Sequence, residues 1–425
     1  MTDRLNGEGR ARQTVFVAAA AVFLASYLTW RPLPDILFTI SDALFVLTAY
    51  QLMVRHELSM QPFGRLTAVW LVSLALLLAG LFVGSVAGSD PLRWPIIAMQ
   101  YCFAWLVLPV LLIGHGRDRA IMLARALVFG MVAMEAFGVF IYMKYSGSFW
   151  EARSLLGIDF LTGARRLGAF TADANWNGAA ISFALPFVYY LVLERHMSRW
   201  LGAVCAAVLF AGLALSASFT AFTSTCAAAV LFAIVAGLRP GIRTAVACLL
   251  LIGGVSQLQL VLPPTFQARV VNALESGEIS EAGTFEGRAA LIGEAWRMTG
   301  DHLLIGAGAD QYRAISTFHA PVHNMYLLLW IEGGVVAVVG WIGMIGVLVA
   351  TGASAARANR HAGALALTVT SVLITFSVAS PHMYARLWAA PVALAVAIAC
   401  EARTVRRRSG AAASFPGWSW SPVAR

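Results

Sequence analysis

From residue 14 to residue 401 the chain alternates long, all-round apolar runs with mostly short polar connections. A helix that crosses a bilayer needs about 20 mostly apolar residues. Lipid offers the backbone no partners, so such runs must fold as helices that satisfy their own N–H and C=O groups. The runs at 14–30, 36–54, 66–87, 95–114, 121–143, 174–193, 200–216, 219–237, 244–262, 323–350, 362–380 and 385–401 predict about twelve transmembrane helices. A closed β-barrel would need stretches of about 10 residues with alternating polarity, and these runs do not alternate. The first run continues into Trp30-Arg31-Pro32 without a small-residue cleavage site and reads as a retained helix, not a secretion signal. The expected fold is an all-α polytopic membrane protein.

Two connections are longer than the rest. One, at 144–173, interrupts the first nine spans (1–262). The other, at 263–322, separates them from spans 10–12 (323–401), and a Ser/Ala/Gly/Pro-rich tail at 402–425 reads as disordered. Within 263–322, the positions Leu291, Ile292, Ala295 and Trp296 fall on one helical face, which predicts an amphipathic helix lying along the membrane surface. Gly306-Ala307-Gly308 reads as a flexible turn before His323 opens span 10.

Composition agrees with this class: 60% of residues are hydrophobic and 12% charged, against about a quarter charged in soluble domains. A soluble enzyme is excluded. The net charge is +9, from 30 Lys+Arg that are all arginine except Lys144. These cations punctuate apolar runs and do not form a soluble basic face, so no nucleic-acid partner is expected. Arginine pairs fill the even-numbered connections: Arg55 and Arg65, Arg117 and Arg119, Arg195 and Arg199, Arg239 and Arg243, Arg357 and Arg360. Both ends of the chain are arginine-rich as well, so the positive-inside rule puts both termini in the cytoplasm and both long connections on the far side. The five cysteines all lie in apolar runs and imply neither disulfides nor a zinc site.

Candidate chemistry therefore sits in the far-side segments. Arg165-Arg166 offers fork-shaped donors suited to a phosphate or pyrophosphate, or else a headgroup anchor. Asp173, Asn175 and Asn177 follow at the mouth of span 6, where Asp173 can also serve as an N-cap. Arg288 opens the loop helix and could pair with Glu286 or Glu294. His319 and His323 have a metal-ligand spacing, but Pro321 breaks the helix that would align them and no third ligand follows, so no metal is expected. His323, beside Asn324, suits a general base or an interfacial cap. His382 and Arg386 could join the site or anchor the interface, while Asp42, Glu135 and Glu332 inside the spans read as structural.

Three stretches, 165–186 (RRLGAFTADANWNGAAISFALP), 287–312 (GRAALIGEAWRMTGDHLLIGAGADQY) and 323–334 (HNMYLLLWIEGG), together resemble the O-antigen ligase and polymerase family of bacterial membrane glycosyltransferases. The resemblance implies a GT-C-like fold in the bacterial inner membrane and a donor glycan carried on undecaprenyl pyrophosphate. It implies a lipid A-core acceptor for a ligase, the leading form, or a growing polysaccharide for a polymerase. No cofactor or metal is implied. By the same resemblance Arg166, or Arg165, and Arg288 would bind pyrophosphate, and His323 would be catalytic beside Asn324. Asn175, His382 and Arg386 complete the expected substrate-binding set. Two positions depart from the family pattern: Ser218-Phe219-Thr220 stands where an arginine often follows span 7, and Ala337 where ligases carry Gly, Thr or Tyr. A transporter or flippase with twelve spans is the reading from another class. It would need a repeat and charges at mid-depth, whereas the chain has one asymmetric long loop and no internal repeat.

Overall fold

The computed structural model describes residues 2–29, 38–88, 90–145, 153–154, 160–162, 165–238, 264–276 and 285–413. The expected ninth span at 244–262 and the end of the tail lie outside the described residues. Helices α1 (Thr2–Phe23), α2 (Ile40–Val54), α3 (Thr67–Ala87), α4 (Arg93–Leu112), α5 (Arg117–Lys144), α6 (Ala174–Leu193), α7 (Arg199–Ser216) and α8 (Phe219–Ala236) precede the long loop. The loop carries α9 (Phe285–Met298), and α10 (Met325–Ala356), α11 (Arg360–Ala379) and α12 (Arg386–Ala413) follow. Among the described residues nine helices are long and apolar enough to cross a membrane, and Arg12–Phe23 and Ile40–Val54 are shorter apolar helices. The protein is an all-α polytopic membrane protein. The last helix runs on to Ala413, so 402–413 continues α12, as an Ala- and Arg-rich sequence favours, and does not begin an irregular tail.

Several polar groups inside the spans have partners on other elements. Pro109 has no N–H to give the Trp105 carbonyl four residues before it. Helix α4 makes a π-turn there, over Phe103–Val107, and Trp70 Nε1 donates to Trp105 O at 2.7 Å. Asp42, Glu135 and Glu332 each have a buried partner, as intramembrane acids require. Arg386 donates to Asp42 at 2.6 Å, Asn177 Nδ2 to Glu135 at 3.4 Å, and His382 Nε2 meets Glu332 at 2.8 Å. At the end of the bundle where α5 and α11 begin, which we call the basic end, Glu194 accepts from Arg117 and Asn359 and pairs with His361. The opposite end, where α9 lies, is the loop end.

The tightest crossing is α3 against α10, built on small residues that let the backbones meet. A Cβ on Gly80 would lie 2.5 Å from Gly333 O, and one on Gly340 would lie 2.5 Å from Leu77 N. Close to the loop end α10 is broken at Gly334 (φ 66°, ψ −175°), a conformation reached almost exclusively by glycine. The break frees backbone groups, and the loop satisfies them. Ala307 N donates to Ile331 O (2.7 Å), Gly308 N to Glu332 O (3.0 Å) and Val335 N to Leu303 O (3.0 Å). Gly306-Ala307-Gly308 is thus a tightly packed insert and not a free turn: a Cβ on Gly306 would come 2.2 Å from Glu332 C. Gly334→Ala should lower stability by at least about 1–3 kcal/mol of backbone strain, beyond the contact of its Cβ 2.2 Å from Leu304 O. Gly346→Ala, with nothing within 4 Å, should leave the melting temperature in detergent unchanged or raise it.

Candidate functional site

The loop is pinned by side chains as well as by backbone. Glu332, 1% exposed, accepts from Asp310 N at 2.9 Å and Tyr312 N at 3.3 Å with the carboxylate that also meets His382. Arg93 pairs with Asp310 at 2.7 Å, Gln311 Nε2 donates to Asp90, and Ala309 N donates to Ser85 Oγ. The stretch 303–312 therefore has one place to sit, over the outer turns of α3 and α10.

That fixes α9. Leu291 and Ala295 are buried against Tyr312, Val322, Leu327, Leu328 and Ile331, so the predicted apolar face is correct but is covered by protein, while Trp296 remains 64% exposed. Glu294 does not pair with Arg288. It accepts from Ser316 Oγ, Thr317 N, Thr317 Oγ1 and Tyr312 Oη at 2.6–3.1 Å. Burial works to raise its pKa, but the hydrogen bonds from Thr317, Ser316 and Tyr312 outweigh it and hold the carboxyl at about 2. Arg288 lies three residues before Leu291, on the same helical face, and its charge is felt at His323.

On the other side, β1 (Leu161–Thr162) and β2 (Arg166–Leu167) form a two-stranded antiparallel ribbon. Of the two arginines only Arg166 belongs to the ribbon; Arg165 precedes it in left-handed backbone, which sends the two side chains different ways. Arg165, at φ 53°, donates to Tyr142 O and Tyr145 O and lies over the Tyr142 ring. Arg166, 8% exposed, turns inward; its Nε donates to Ser216 O and its Nη2 to Asn175 Oδ1, both at 2.8 Å. Asp173 caps α6 by accepting from Asn175 N and Trp176 N. Asn324 caps α10 by accepting from Tyr326 N and Leu327 N, which holds His323 at the mouth of that helix.

Electrostatics link the two halves. Burial lowers the Arg166 pKa to about 10, with the charge of Arg269 next in weight, Asp173 opposing and Arg288 adding. Burial lowers that of Arg288 as well, against Asp173. Burial and the Arg288 charge push the His323 pKa below 6.5, with Asp173 opposing. At neutral pH the arginines remain charged and the imidazole, lowered below 6.5, is neutral, an arrangement that can attract an anion.

His382 and Arg386 have other tasks. His382 bridges Glu332 and, through Nδ1, the Tyr101 hydroxyl at 2.8 Å. Arg386, 2% exposed, holds Asp42 and Tyr27 O. Both brace helices through these contacts. His319 stands at φ 49° outside any helix, and among the described residues no three His, Cys, Asp or Glu form a group that could hold a metal ion. Sequence reasoning missed Arg269 and the Ser216 carbonyl. The arginine belongs to no motif, and a carbonyl partner leaves no trace in residue type.

Glu294→Ala should free the 312–317 turn and cost about 1–3 kcal/mol for each buried donor left unsatisfied, read as faster hydrogen exchange there. Because the folded carboxyl sits at about 2 against 4.5, its stabilisation is complete above about pH 4.5 and is lost as pH falls toward 2.

Comparison with protein-family models matches residues 173–342 to the family described as O-Antigen ligase. No curated protein matches the chain. The matched stretch starts at the cap of α6, takes in Arg269, Arg288, His323 and the break in α10, and stops short of Arg166. Over this stretch, 170 of the 425 residues, the chain is similar to the O-antigen ligase family.

Proposed function

We propose that the protein is a metal-independent glycosyltransferase that moves a glycan from undecaprenyl pyrophosphate to an acceptor hydroxyl at the loop end, on the periplasmic side of the bacterial inner membrane. Both termini are then cytoplasmic, in accord with the arginine-rich connections, and the full count is twelve spans in a GT-C-like arrangement. The leading acceptor is lipid A-core, which makes the protein an O-antigen ligase. The observation that carries the reading is the convergence of Arg166, Arg288 and His323 around Asp173 at one end of the bundle. A transporter or flippase would gather its charges at mid-depth. Here the mid-span acids brace helices.

The chemistry follows from these groups. The acceptor oxygen attacks the anomeric carbon as its proton passes to the neutral His323. The bond from that carbon to the pyrophosphate oxygen breaks, its electron pair leaves with the pyrophosphate, and the anomeric configuration inverts. Pyrophosphate needs no protonation to leave. Arg166 and Arg288 neutralise the charge that develops on it, and holding both reactants in place supplies much of the remaining acceleration. Asn175 orients Arg166, and Asn324 orients His323 through the cap of α10. Arg165, beside the ribbon, suits lipid headgroups.

A polymerase of the same family, with a growing polysaccharide as acceptor, is the second reading, because Ala337 departs from the ligase pattern. That alanine packs on Gly80, where an added Cβ would be 3.0 Å from its methyl, so its smallness serves the α3–α10 crossing and does not report on the acceptor.

His323→Ala should lower turnover by about 10²–10⁴-fold with donor binding nearly intact. The wild-type rate should fall as pH drops below 6.5, and Arg288→Ala should move that limb to higher pH, because it removes the charge that disfavours the imidazolium; rates across pH on purified protein read both. Deleting the gene should abolish lipid A-linked polysaccharide on gels while lipid-linked polymer persists. Single repeat units would instead mark a polymerase, and an unaltered profile would overturn the reading.

A further inference from the structure

Arg166 is held in part by backbone oxygen. Its Nε donates to Ser216 O at the end of α7, while the next residue in the ribbon, Leu167, gives its carbonyl to Asn177 Nδ2 at 3.3 Å. The same amide group donates to Glu135 Oε2 of α5 at 3.4 Å. Glu135 and Asn177 are both 0% exposed. The Glu135 carboxyl also lies against the backbone of α7 at Gly212, where an added Cβ would strike its Oε2. Gly212 stands about one helical turn before Ser216. One buried acid therefore borders both supports of Arg166: the ribbon carbonyl, through Asn177, and the last turn of α7, which ends in Ser216 O.

We propose that Glu135 is a positioning residue for Arg166, whose carboxyl sets the ribbon and the end of α7 so that the guanidinium is aligned for the anionic group of the donor. An acid in a spanning helix is costly and needs a reason. Asp42 meets a guanidinium, and Glu332 meets an imidazole and two backbone amides. Glu135 instead meets the neutral amide of Asn177, and among the described residues Glu135 Oε1 and Asn177 Oδ1 have no hydrogen-bond partner. Buried acceptors without donors cost stability, so the pair is a weak brace. What it supplies is orientation. The amide has two N–H donors, one for Glu135 and one for Leu167 O. Without the carboxyl the amide can turn over, and Asn177 Oδ1 would then face Leu167 O, two acceptors with no proton between them. The ribbon carbonyl beside Arg166 would lose its support.

This inference rests on the donor role proposed above for Arg166. Whether Glu135 acts through that arginine is read by titrating full-length protein in nanodiscs with farnesyl pyrophosphate, a short polyprenyl pyrophosphate. Arg166→Met and Glu135→Leu should each weaken binding, Glu135→Leu by about tenfold, a typical coupling between groups in one hydrogen-bond network. In the Arg166→Met background Glu135→Leu should add nothing further, while in the Arg288→Met background it should keep its full effect. Glu135→Gln should recover most of the binding that Glu135→Leu loses, because its oxygen still accepts from Asn177 and its N–H can donate to Asn177 Oδ1. If Glu135→Leu does not fold, Glu135→Leu combined with Asn177→Leu, which removes both polar partners together, takes its place in the same comparisons. Binding by Glu135→Leu as tight as wild type, an equal loss in both arginine backgrounds, or no recovery in Glu135→Gln would overturn the inference and leave the Arg166 assignment intact. If Arg166→Met binds farnesyl pyrophosphate with wild-type affinity, the donor role of Arg166 fails, and this inference with it.

Discussion

The break in α10 is the constraint on which the rest of the site depends. A helix that crosses lipid normally keeps its hydrogen bonds to itself. At Gly334 this one opens, and the freed groups of Ile331, Glu332 and Val335 bond to Ala307, Gly308 and Leu303 of the loop. The Glu332 side chain then takes the Asp310 and Tyr312 amides as well. A long connection that could wander is thereby fixed at the membrane boundary, with the turn 312–317 in position to hold Glu294 and so to hold α9. The orientation of Arg288 is a consequence of a glycine far along the chain from it.

Around that anchor the protein spends two kinds of polar group differently. Inside the bundle Asp42 meets Arg386 and Glu332 meets His382, each on another element. At the loop end the charge of Asp173 reaches Arg166, Arg288 and His323. Paired groups brace helices, and cations gathered at one end of the bundle favour a ligand of the opposite sign. Burial first, and the Arg288 charge after it, lowers the His323 pKa, which suits the base proposed above.

Much of this was legible in the sequence. The sixth span, expected at 174–193 from its apolar run, has those bounds in α6, with Asp173 as its cap. The apolar face of α9 was legible from its period, but period cannot say whether protein or lipid covers a face. Arg165 and Arg166 could not be ranked, because what separates them is a left-handed backbone at Arg165, just before a strand two residues long, that residue type does not reveal. His382 and Arg386 were read toward substrate because their partners, Glu332 and Asp42, lie 50 and 344 residues away in the chain. The break in α10 was read only as a bend for close packing; its role as the anchor of the loop depends on backbone groups that residue type does not reveal.

If the break in α10 assembles a donor site at the loop end, an experimental structure of the protein with a polyprenyl pyrophosphate-linked sugar bound in a lipid nanodisc will show it. The pyrophosphate should then lie within hydrogen-bond distance of Arg166 and Arg288, with the sugar facing His323 and the 303–312 stretch still bonded to Ile331 and Glu332. A headgroup seated at mid-depth among the spans, or at the basic end near Glu194, would contradict it.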